Sequence, residues 1–415
     1  MADLNSWLEK NLAILNTVSS MNQSEGFTRL SFTAEEKAAH DAFRKVAEEL
    51  GLHTHQDAAG NQWAIWKTDS SLPPVAVGSH LDTVVNGGGY DGPAGVLSAL
   101  AAVKTLKDSG FQPARDIAVV CFVSEESARF GLSTIGSKAV SGKLDSREAG
   151  GMTDRNGVTV KEAAEEFGLD WSRIEEAELP AESFACFLEL HIEQGSQVEE
   201  HDAEIGIVTG VACPVRLKVY VQGMAGHTGT TPMHNRKDAF VTIAPLVTFV
   251  HERASQLSEE SIQPLVATVS TIELKPNSMN VIPGEIELGI DIRSVDDTLK
   301  RSFAEEIREF CRKAAADSGV KIHVETLINN DSIMLDPNMQ LKLTGICGEL
   351  GLKPHSMNSG AGHDVMNMAA KWPSGLIFIP CRDGISHHPD EFASIEDIAK
   401  GVRVITRFLE KEASL

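Results

Sequence analysis

Paired cysteines are missing from this sequence of 415 residues. Its six cysteines are scattered along the chain, and no two of them form a C-x-x-C motif. Such spacing is typical of reduced, mostly buried thiols, so we expect a cytoplasmic protein without a disulfide framework. The N-terminus also lacks the basic segment and the apolar core of a signal peptide.

Long apolar runs and an excess of positive charge are missing as well. No apolar run is long enough to cross a bilayer. The net charge of −22 disfavours nucleic acids and anionic membranes as partners, because both bind to basic patches. What is present is an ordinary globular composition, with 42% hydrophobic and 23% charged residues. A chain of this length exceeds one compact core, so we expect two domains.

The sequence is organised around a predicted strand that ends in a glycine-rich turn. The apolar run 75–77 leads to His80 and Asp82, and Asp91 follows on a glycine-rich loop before a predicted helix over 94–108. His80 and Asp82 share a face of the extended chain, so one can ligate a metal while the other fixes its orientation. The end of a strand is also where open α/β sheets bind their ligands. Taken alone, the motif is equally compatible with a polar turn after a buried strand.

More ligand-type side chains follow other predicted strands. Glu125 and Glu126 come directly after the apolar run 117–123, which is typical of a strand buried on both faces. Adjacent glutamates are usually a solvated pair. Two charges at the end of a buried strand are costly, however, unless something positive meets them. Two further predicted strands lead to His191 and His387.

Three imidazoles and several carboxylates, but no cysteine, are gathered by this pattern: His80, Asp82, Asp91, Glu125, Glu126, His191 and His387. Such a donor set suits Zn²⁺, Mn²⁺, Co²⁺ or Ni²⁺. It contains more ligands than one catalytic zinc ion with an open position requires. It matches two ions that share one carboxylate and one water molecule. The sequence therefore predicts two divalent metal ions at one edge of a sheet.

The strand pattern changes near Cys213. Between 213 and 327 the predicted elements follow the order β-α-β-β-α-β. Two of the strands, near 215–222 and 286–293, alternate apolar and polar residues as half-exposed strands do. We predict an α/β fold whose catalytic domain, 1–212 and 328–415, has a mostly parallel mixed sheet flanked by helices. The segment 213–327 would form an inserted ferredoxin-like domain.

The segments around these residues resemble the amidase/hydantoinase/carbamoylase family, which contains N-carbamoyl-L-amino acid hydrolases, allantoate amidohydrolases and β-ureidopropionases. The resembling segments, in family order, are 80–82, 91–92, 125–130, 189–195, 227–233, 280–283, 291–293, 360–364 and 384–387. The string Glu-Leu-His-Ile-Glu-Gln-Gly at 189–195 is the most specific, because it separates this family from its dipeptidase relatives. Ser127 and Gly226 depart from the usual glycine and alanine, but neither is a proposed ligand.

The resemblance implies how the metal ligands divide. His80 and His191 would hold one ion, Glu126 and His387 would hold the other, and Asp91 would bridge the two. The choice of His387 over the adjacent histidine follows the family pattern, in which the ligand comes directly after a serine.

The resemblance also implies catalytic and substrate-binding roles. Glu125 would be the general base and Asp82 would orient the imidazole of His80. His227, on the inserted domain, would reach the active site of a neighbouring subunit and stabilise the oxyanion. The implied substrate contacts are Arg293 and Asn280 at a carboxylate, and Gln194 and His363 along the pocket. The inserted domain would serve as a lid and as the surface of a homodimer.

Our first functional hypothesis is metal-dependent hydrolysis of linear carbon–nitrogen bonds in small substrates that carry a carboxylate, above all N-carbamoyl-L-amino acids. Allantoate hydrolysis is the alternative, because it uses the same site. An aminoacylase or dipeptidase is disfavoured by the string at 189–195. A non-catalytic binding module is disfavoured by Glu125, since a scaffold has no use for a base beside metal ions.

Overall fold

The computed structural model describes residues 2–414. It contains the following α-helices: α1 (Ala2–Leu15), α2 (Ala34–Glu49), α3 (Pro93–Asp108), α4 (Ile135–Ser141), α5 (Ser146–Gly151), α6 (Val160–Phe167), α7 (Gln197–Glu200), α8 (Ala239–Glu260), α9 (Asp297–Ser318), α10 (Pro337–Leu350), α11 (Val365–Met368) and α12 (Ile395–Glu412). Short 3₁₀ helices occur at Trp171–Ala177, Ala181–Ser183, Met233–Asn235 and Arg382–Gly384.

The strands, in chain order, are β1 (His53–Gln56), β2 (Gln62–Trp66), β3 (Val75–His80), β4 (Ile117–Phe122), β5 (Cys186–Ile192), β6 (Ile205–Val211), β7 (Val215–Gln222), β8 (Gly226–His227), β9 (Val266–Lys275), β10 (Val281–Ile282), β11 (Glu285–Arg293), β12 (Lys321–Asn329), β13 (Ile333–Met334), β14 (Pro354–Ser359) and β15 (Ser374–Ile379). The described chain divides into two compact units. The first contains residues up to 209, 335–359 and 363 onward, and the second contains 210–334 and 360–362.

The first unit is built on a large mixed sheet. Its strand order is β1-β2-β4-β3-β5-β15-β6, and β14 also pairs with β6. The short strand β13 pairs with the last two residues of β6, and these residues belong to the second unit. The strands β4, β3, β5 and β15 are parallel to one another, whereas β2 and β6 run antiparallel to their neighbours. Every residue of these four parallel strands is buried, as their continuous apolar runs require. Helix α3 packs against β3 and β5, and α12 packs against α3 and β15. The predicted α/β fold with a mixed sheet flanked by helices is confirmed.

The second unit has an antiparallel sheet of four strands in the order β12-β7-β11-β9. Along β7, buried apolar residues alternate with more exposed polar ones, as the sequence predicted. Helix α8 packs against β9 and helix α9 against β12. In chain order these elements are strand, helix, two strands, helix and strand. A separate two-stranded ribbon pairs β8 with β10.

The thiols and the helices can be compared with the expectations from composition. None of the six cysteines forms a disulfide within residues 2–414, and five of them are buried. The prediction that the thiols are mostly buried is therefore confirmed. Among the helices of residues 2–414, none is both long enough and apolar enough to cross a membrane.

Candidate metal centre

Neighbouring strands of the first unit deliver the candidate ligands to one edge of the sheet. His80 is the last residue of β3 and His191 the penultimate residue of β5, while Glu125 and Glu126 follow β4 and His387 follows β15. Because these strands are parallel neighbours, their carboxyl ends lie side by side. The structure thus gathers side chains that are far apart in the sequence.

The first group of donor atoms comes from His80, Asp91 and His191. The two Nε2 atoms lie 3.5 Å apart, and Asp91 Oδ1 lies 3.5 Å from that of His80 and 3.0 Å from that of His191. Tetrahedral ligands about 2.0–2.1 Å from a zinc ion would be about 3.3 Å from one another. The three side chains are almost entirely buried. Their spacing therefore fits a single divalent ion without rearrangement of the strands.

The ring tautomers of both histidines suit metal binding. His80 Nδ1 lies 3.1 Å from the backbone oxygen of Asp82, and His191 Nδ1 lies 2.9 Å from that of Ile192. A carbonyl oxygen only accepts hydrogen bonds, so each Nδ1 carries the proton. In the neutral rings this leaves the lone pair on each Nε2, which faces Asp91. Fixing a ligand histidine through its other nitrogen is the usual arrangement in metal sites.

The second group consists of Asp91, Glu126 and His387. His387 Nε2 lies 3.4 Å from Asp91 Oδ2 and 3.3 Å from Glu126 Oε1. The His387 side chain is 49% exposed, in contrast to 1% for His80 and His191. The two groups therefore share Asp91 but use different oxygens of its carboxylate. The adjacent His388 points toward Asp390 and belongs to neither group.

The carboxylates and imidazoles of this cluster stabilise one another's charged forms. Burial alone would raise the pKa of Asp91, but the imidazoles of His191, His387 and His80 hold that pKa well below its usual value. In return, Asp91 and Glu126 raise the pKa of His387 to about 11. The carboxylates thus attract positive charge to the imidazole nitrogens, and a divalent ion can take the place of those protons. The nitrogen and oxygen donors fit the borderline metals that the sequence predicted.

Glu125 lies beside the first group. Its Oε2 is 3.9 Å from His80 Nε2, and the side chain is buried. Burial raises the pKa of this carboxyl well above its usual value. Asp82 does more here than orient His80, because its Oδ1 accepts the Glu125 N–H at 3.0 Å and its Oδ2 accepts the Glu126 N–H at 2.8 Å. One aspartate therefore fixes both a candidate ligand and the candidate base.

Glu36 also supports this turn, a role that the sequence did not predict. Its Oε1 accepts the N–H of Ser124 at 2.8 Å, and its Oε2 accepts the N–H of Phe32 at 2.6 Å. The spacing of Thr33 and Glu36 is that of a capping box and predicts a helix cap, but only the Thr33 half of that motif forms. Helical spacing places Glu36 on the same buried face of α2 as Ala39. A charged residue on an apolar stripe was the available signal.

Gly92 is required by the approach of two elements. It has a φ of 78° and precedes Pro93, the first residue of α3. A Cβ atom at this position would lie 2.5 Å from Cε1 of His80. Only glycine lets the loop that carries Asp91 pass so close to the imidazole.

Three non-glycine residues around the centre have left-handed backbones: Ser124 (φ 53°), Gln194 (φ 59°) and His387 (φ 55°). Each such residue costs on the order of 1–3 kcal/mol unless its surroundings hold it. Strain of this kind is commonly found at functional sites. These three residues follow β4, β5 and β15, so the strain lies in the loops that connect these strands to the candidate site.

Two of the residues predicted to bind substrate also lie in the first unit. Gln194 Nε2 donates to Asp91 Oδ2 at 2.5 Å. His363 is buried, its ring centre lies 4.5 Å from that of His191, and its Nε2 lies 3.0 Å from Ser359 Oγ. Burial holds the pKa of His363 well below its usual value, so this imidazole is neutral. Both side chains therefore contact candidate ligands directly.

The other predicted substrate contacts belong to the second unit. His227 in β8 pairs with Val281 in β10, and the N–H of Thr228 donates to the backbone oxygen of Asn280 at 3.2 Å. The structure thus brings His227 and Asn280, which are both exposed, together at this ribbon. Arg293 Nε donates to Asp291 Oδ1 at 2.8 Å, and its Nη1 donates to the oxygen of Gly360 at 2.6 Å. Their roles toward a substrate stay predictions.

Known proteins are similar to this chain in sequence and in fold. The family model described as peptidase family M20/M25/M40 matches residues 76–411. The chain is 34% identical to the N-carbamoyl-L-amino-acid amidohydrolase of Paenarthrobacter aurescens over 404 residues, which are 97% of each protein. It is 37% identical to the ureidoglycolate hydrolase of Arabidopsis thaliana, over 94% of this chain and 82% of the plant protein. The crystal structure of a hydantoinase/carbamoylase family amidase from Burkholderia multivorans matches with a TM-score of 0.89 at 28% identity, over 99% of this chain and 98% of that one.

Proposed function

The chain belongs to peptidase family M20/M25/M40 and, within it, to the hydantoinase/carbamoylase amidases; from this premise we propose that it hydrolyses N-carbamoyl-L-amino acids. The family resemblance inferred from the sequence is confirmed. The chain is accordingly an amidohydrolase of carbon–nitrogen bonds other than peptide bonds. The proposed products are the free amino acid, carbon dioxide and ammonia.

The observation that carries the proposal is the position of Asp91. Its Oδ1 faces the nitrogens of His80 and His191, and its Oδ2 faces that of His387, which also lies beside Glu126. A carboxylate placed in this way is suited to two divalent ions, one in each donor group. When bound, such ions lower the pKa of water and polarise a carbonyl oxygen.

Glu125 would move the protons of the reaction. It would take one proton from the attacking water and later deliver one to the departing nitrogen, a role usually worth about 10²–10⁴-fold in rate. Its buried position beside the first donor group supports this role. Asp82 would keep Glu125 in place by accepting its N–H.

Recognition of the substrate is assigned to residues of both units. Arg293 would bind the substrate carboxylate through two parallel hydrogen bonds, exchanging part of its present pairing with Asp291 for the ligand. Asn280 would assist it, His227 would stabilise the oxyanion, and Gln194 and His363 would line the pocket. The second unit would then act as a lid that completes the site.

Two alternative substrates carry the same chemical groups. Allantoate, the alternative that the resemblance suggests, contains ureido groups and a carboxylate. Ureidoglycolate is favoured by the relative from Arabidopsis thaliana, which is named a hydrolase of that compound and is 37% identical. Side-chain preference would decide among the three.

A cytoplasmic homodimer formed through the second unit completes the proposal. Three apolar side chains of α8 are exposed: Phe240, Val241 and Val247. Strand β9 lies at the edge of its sheet and exposes Val266 and Ile272. Exposed apolar patches and open strand edges are favourable for association with another chain. Light scattering on the purified protein would give the mass of a dimer, whereas the mass of one chain would contradict this part.

The decisive experiment measures ammonia release from chelator-treated protein after Zn²⁺, Mn²⁺, Co²⁺ or Ni²⁺ is restored. The substrates are N-carbamoyl amino acids, allantoate, ureidoglycolate and N-acetyl amino acids. We expect N-carbamoyl-L-amino acids to be hydrolysed fastest. A Glu125→Gln variant should still bind metal while its kcat falls by about 10²–10⁴-fold. Inactivity of every metal-loaded form on every ureido compound would contradict the proposal.

A further inference from the structure

Glu391 connects the loops that carry Asp91 and His387. Its Oε1 accepts the N–H of Tyr90 at 3.0 Å and that of Asp91 at 2.9 Å. Its Oε2 lies 3.0 Å from the hydroxyl of Ser386 and 3.3 Å from the N–H of His387. The side chain is 4% exposed. One buried carboxylate therefore binds two loops that are about 300 residues apart in the chain.

The glycine-rich loop before Asp91 is shaped to admit this carboxylate. A Cβ atom at Gly88 would lie 2.2 Å from Oε1 of Glu391 and 2.4 Å from its Cβ. Glycines in such a loop would ordinarily be explained by a tight turn. The structure adds that Gly88 must lack a side chain because Glu391 packs against its backbone.

The geometry of the donors distinguishes Glu391 from a metal ligand. A carboxylate has about four lone-pair positions, and three N–H groups and the Ser386 hydroxyl already lie within hydrogen-bonding distance of this one. His387, by contrast, lies on an exposed loop and has a φ of 55°, so its backbone needs support to stay in place. One of the four donors is the N–H of His387 itself.

We propose that Glu391 is a positioning residue that sets His387 relative to Asp91 and so forms the half of the site intended for the second ion. The inference rests on the proposed function, because it assumes two ions. The first donor group shares Asp91 with the second, and Glu391 accepts the N–H of that residue. Its two histidines, His80 and His191, are held within buried strands, however, so this group should depend less on Glu391. Loss of Glu391 should therefore weaken the binding of the second ion selectively.

The test is calorimetric titration of chelator-treated protein with Zn²⁺, for the wild type and for the variants Glu391→Gln and Glu391→Ala. We expect two ions in the wild type. In both variants the first ion should keep its affinity within about threefold, while the second loses about 10–100-fold, the usual effect of removing a residue that supports metal ligands. Glu391→Gln keeps the size of the side chain but only one acceptor oxygen, so its loss should be the smaller one. Thermal unfolding reports whether each variant is folded.

Glu193→Gln is the matched control. Glu193 is also buried and also accepts two N–H groups, those of Gln197 at 2.6 Å and Val198 at 2.9 Å. This variant should bind both ions like the wild type.

Three results would overturn the inference alone. The first is unchanged affinity for both ions in the Glu391 variants. The second is an equal loss of affinity for both ions, or a loss of both ions because the variant unfolds. The third is the same selective loss in Glu193→Gln. A wild type that binds fewer than two ions would overturn the proposed function together with the inference.

Discussion

The histidines that end buried strands and the histidine on a loop reach the same aspartate by different means. His80 and His191 are 1% exposed, and backbone carbonyls fix both rings. His387 is 49% exposed and stands on a left-handed backbone. The first pair is positioned by the sheet itself, whereas the loop histidine depends on side chains that reach it from elsewhere. We therefore expect the two donor groups to differ in affinity, with the tighter ion between the strands.

Removal of Asp91 should weaken metal binding at both donor groups, because both groups use its carboxylate. We expect Asp91→Ala to bind neither ion firmly and to lose at least about 10³-fold in kcat/KM, since metal ions contribute several kcal/mol to such reactions. Metal analysis after dialysis and ammonia release would measure both effects. Asp116→Asn is the control, because Asp116 accepts the N–H of Thr68 at 2.7 Å and is in neither donor group. Two firmly bound ions in Asp91→Ala would contradict the shared carboxylate.

Two single variants would distinguish the donor groups. His387→Ala should retain one ion with an affinity close to that of the wild type, whereas His191→Ala should lose the tighter ion. Activity should fall by about 10²-fold or more in both, because the reaction would need both ions. Calorimetric titration with Zn²⁺ would separate the two cases. Equal losses in the two variants would show that the groups do not differ as proposed.

Acid should weaken the buried support of the strand-borne group. His40 lies 3.9 Å from Glu36, the residue that holds the turn before Glu125, and neither ring nitrogen has a hydrogen-bond partner. Burial lowers the pKa of His40 from 6.5 to about 4. The charged groups that act on this ring are Asp82, Arg29, Lys37 and Glu36.

Between pH 6.5 and pH 4 the unfolded chain therefore binds a proton on His40 that the folded protein does not. The contribution of His40 to stability is complete above pH 6.5 and decreases as the pH falls. Relative to His40→Phe, which packs similarly but does not titrate, the wild type should lose about 2 kcal/mol between pH 7.5 and pH 5. Urea unfolding at both pH values measures this difference. Parallel pH profiles of the two proteins would contradict the prediction.

The smallest expected effect concerns Ser386. Its hydroxyl lies 3.0 Å from Asp91 Oδ2 and 3.0 Å from Glu391 Oε2, but its single proton can be donated to only one of them. Ser386→Ala should therefore cost about 1 kcal/mol, which is roughly fivefold in affinity for the second ion. The first ion should be unaffected in the same titration. A lower affinity for the first ion would contradict the assignment of Ser386 to the second donor group.

The sequence was informative wherever local pattern determines structure. The continuous apolar runs before His80, Glu125 and His191 predicted buried parallel strands, and parallel strands necessarily end together. The choice of His387 over His388, by contrast, came only from the family pattern, because both stand on the same loop.

Residues that act through tertiary contacts could not be predicted in this way. Glu36 looked like a helix cap and Glu391 like a loop residue, since nothing in their neighbourhoods reveals an N–H group brought in from a distant strand end. The second hydrogen-bonding task of Asp82 was hidden for the same reason. Amide groups at the ends of strands are satisfied by whichever acceptor the fold brings there, and sequence spacing does not specify that acceptor.

Strand β15 is the last strand in the chain, yet it lies between β5 and β6. During synthesis, domains usually begin to fold as their residues emerge from the ribosome. Here the earlier strands must leave a vacant slot in the sheet until residues 374–379 arrive, and His387 emerges only after them. A polypeptide released before residue 374 would lack the strand that joins β5 to β6, and one released before residue 387 would lack the last candidate ligand.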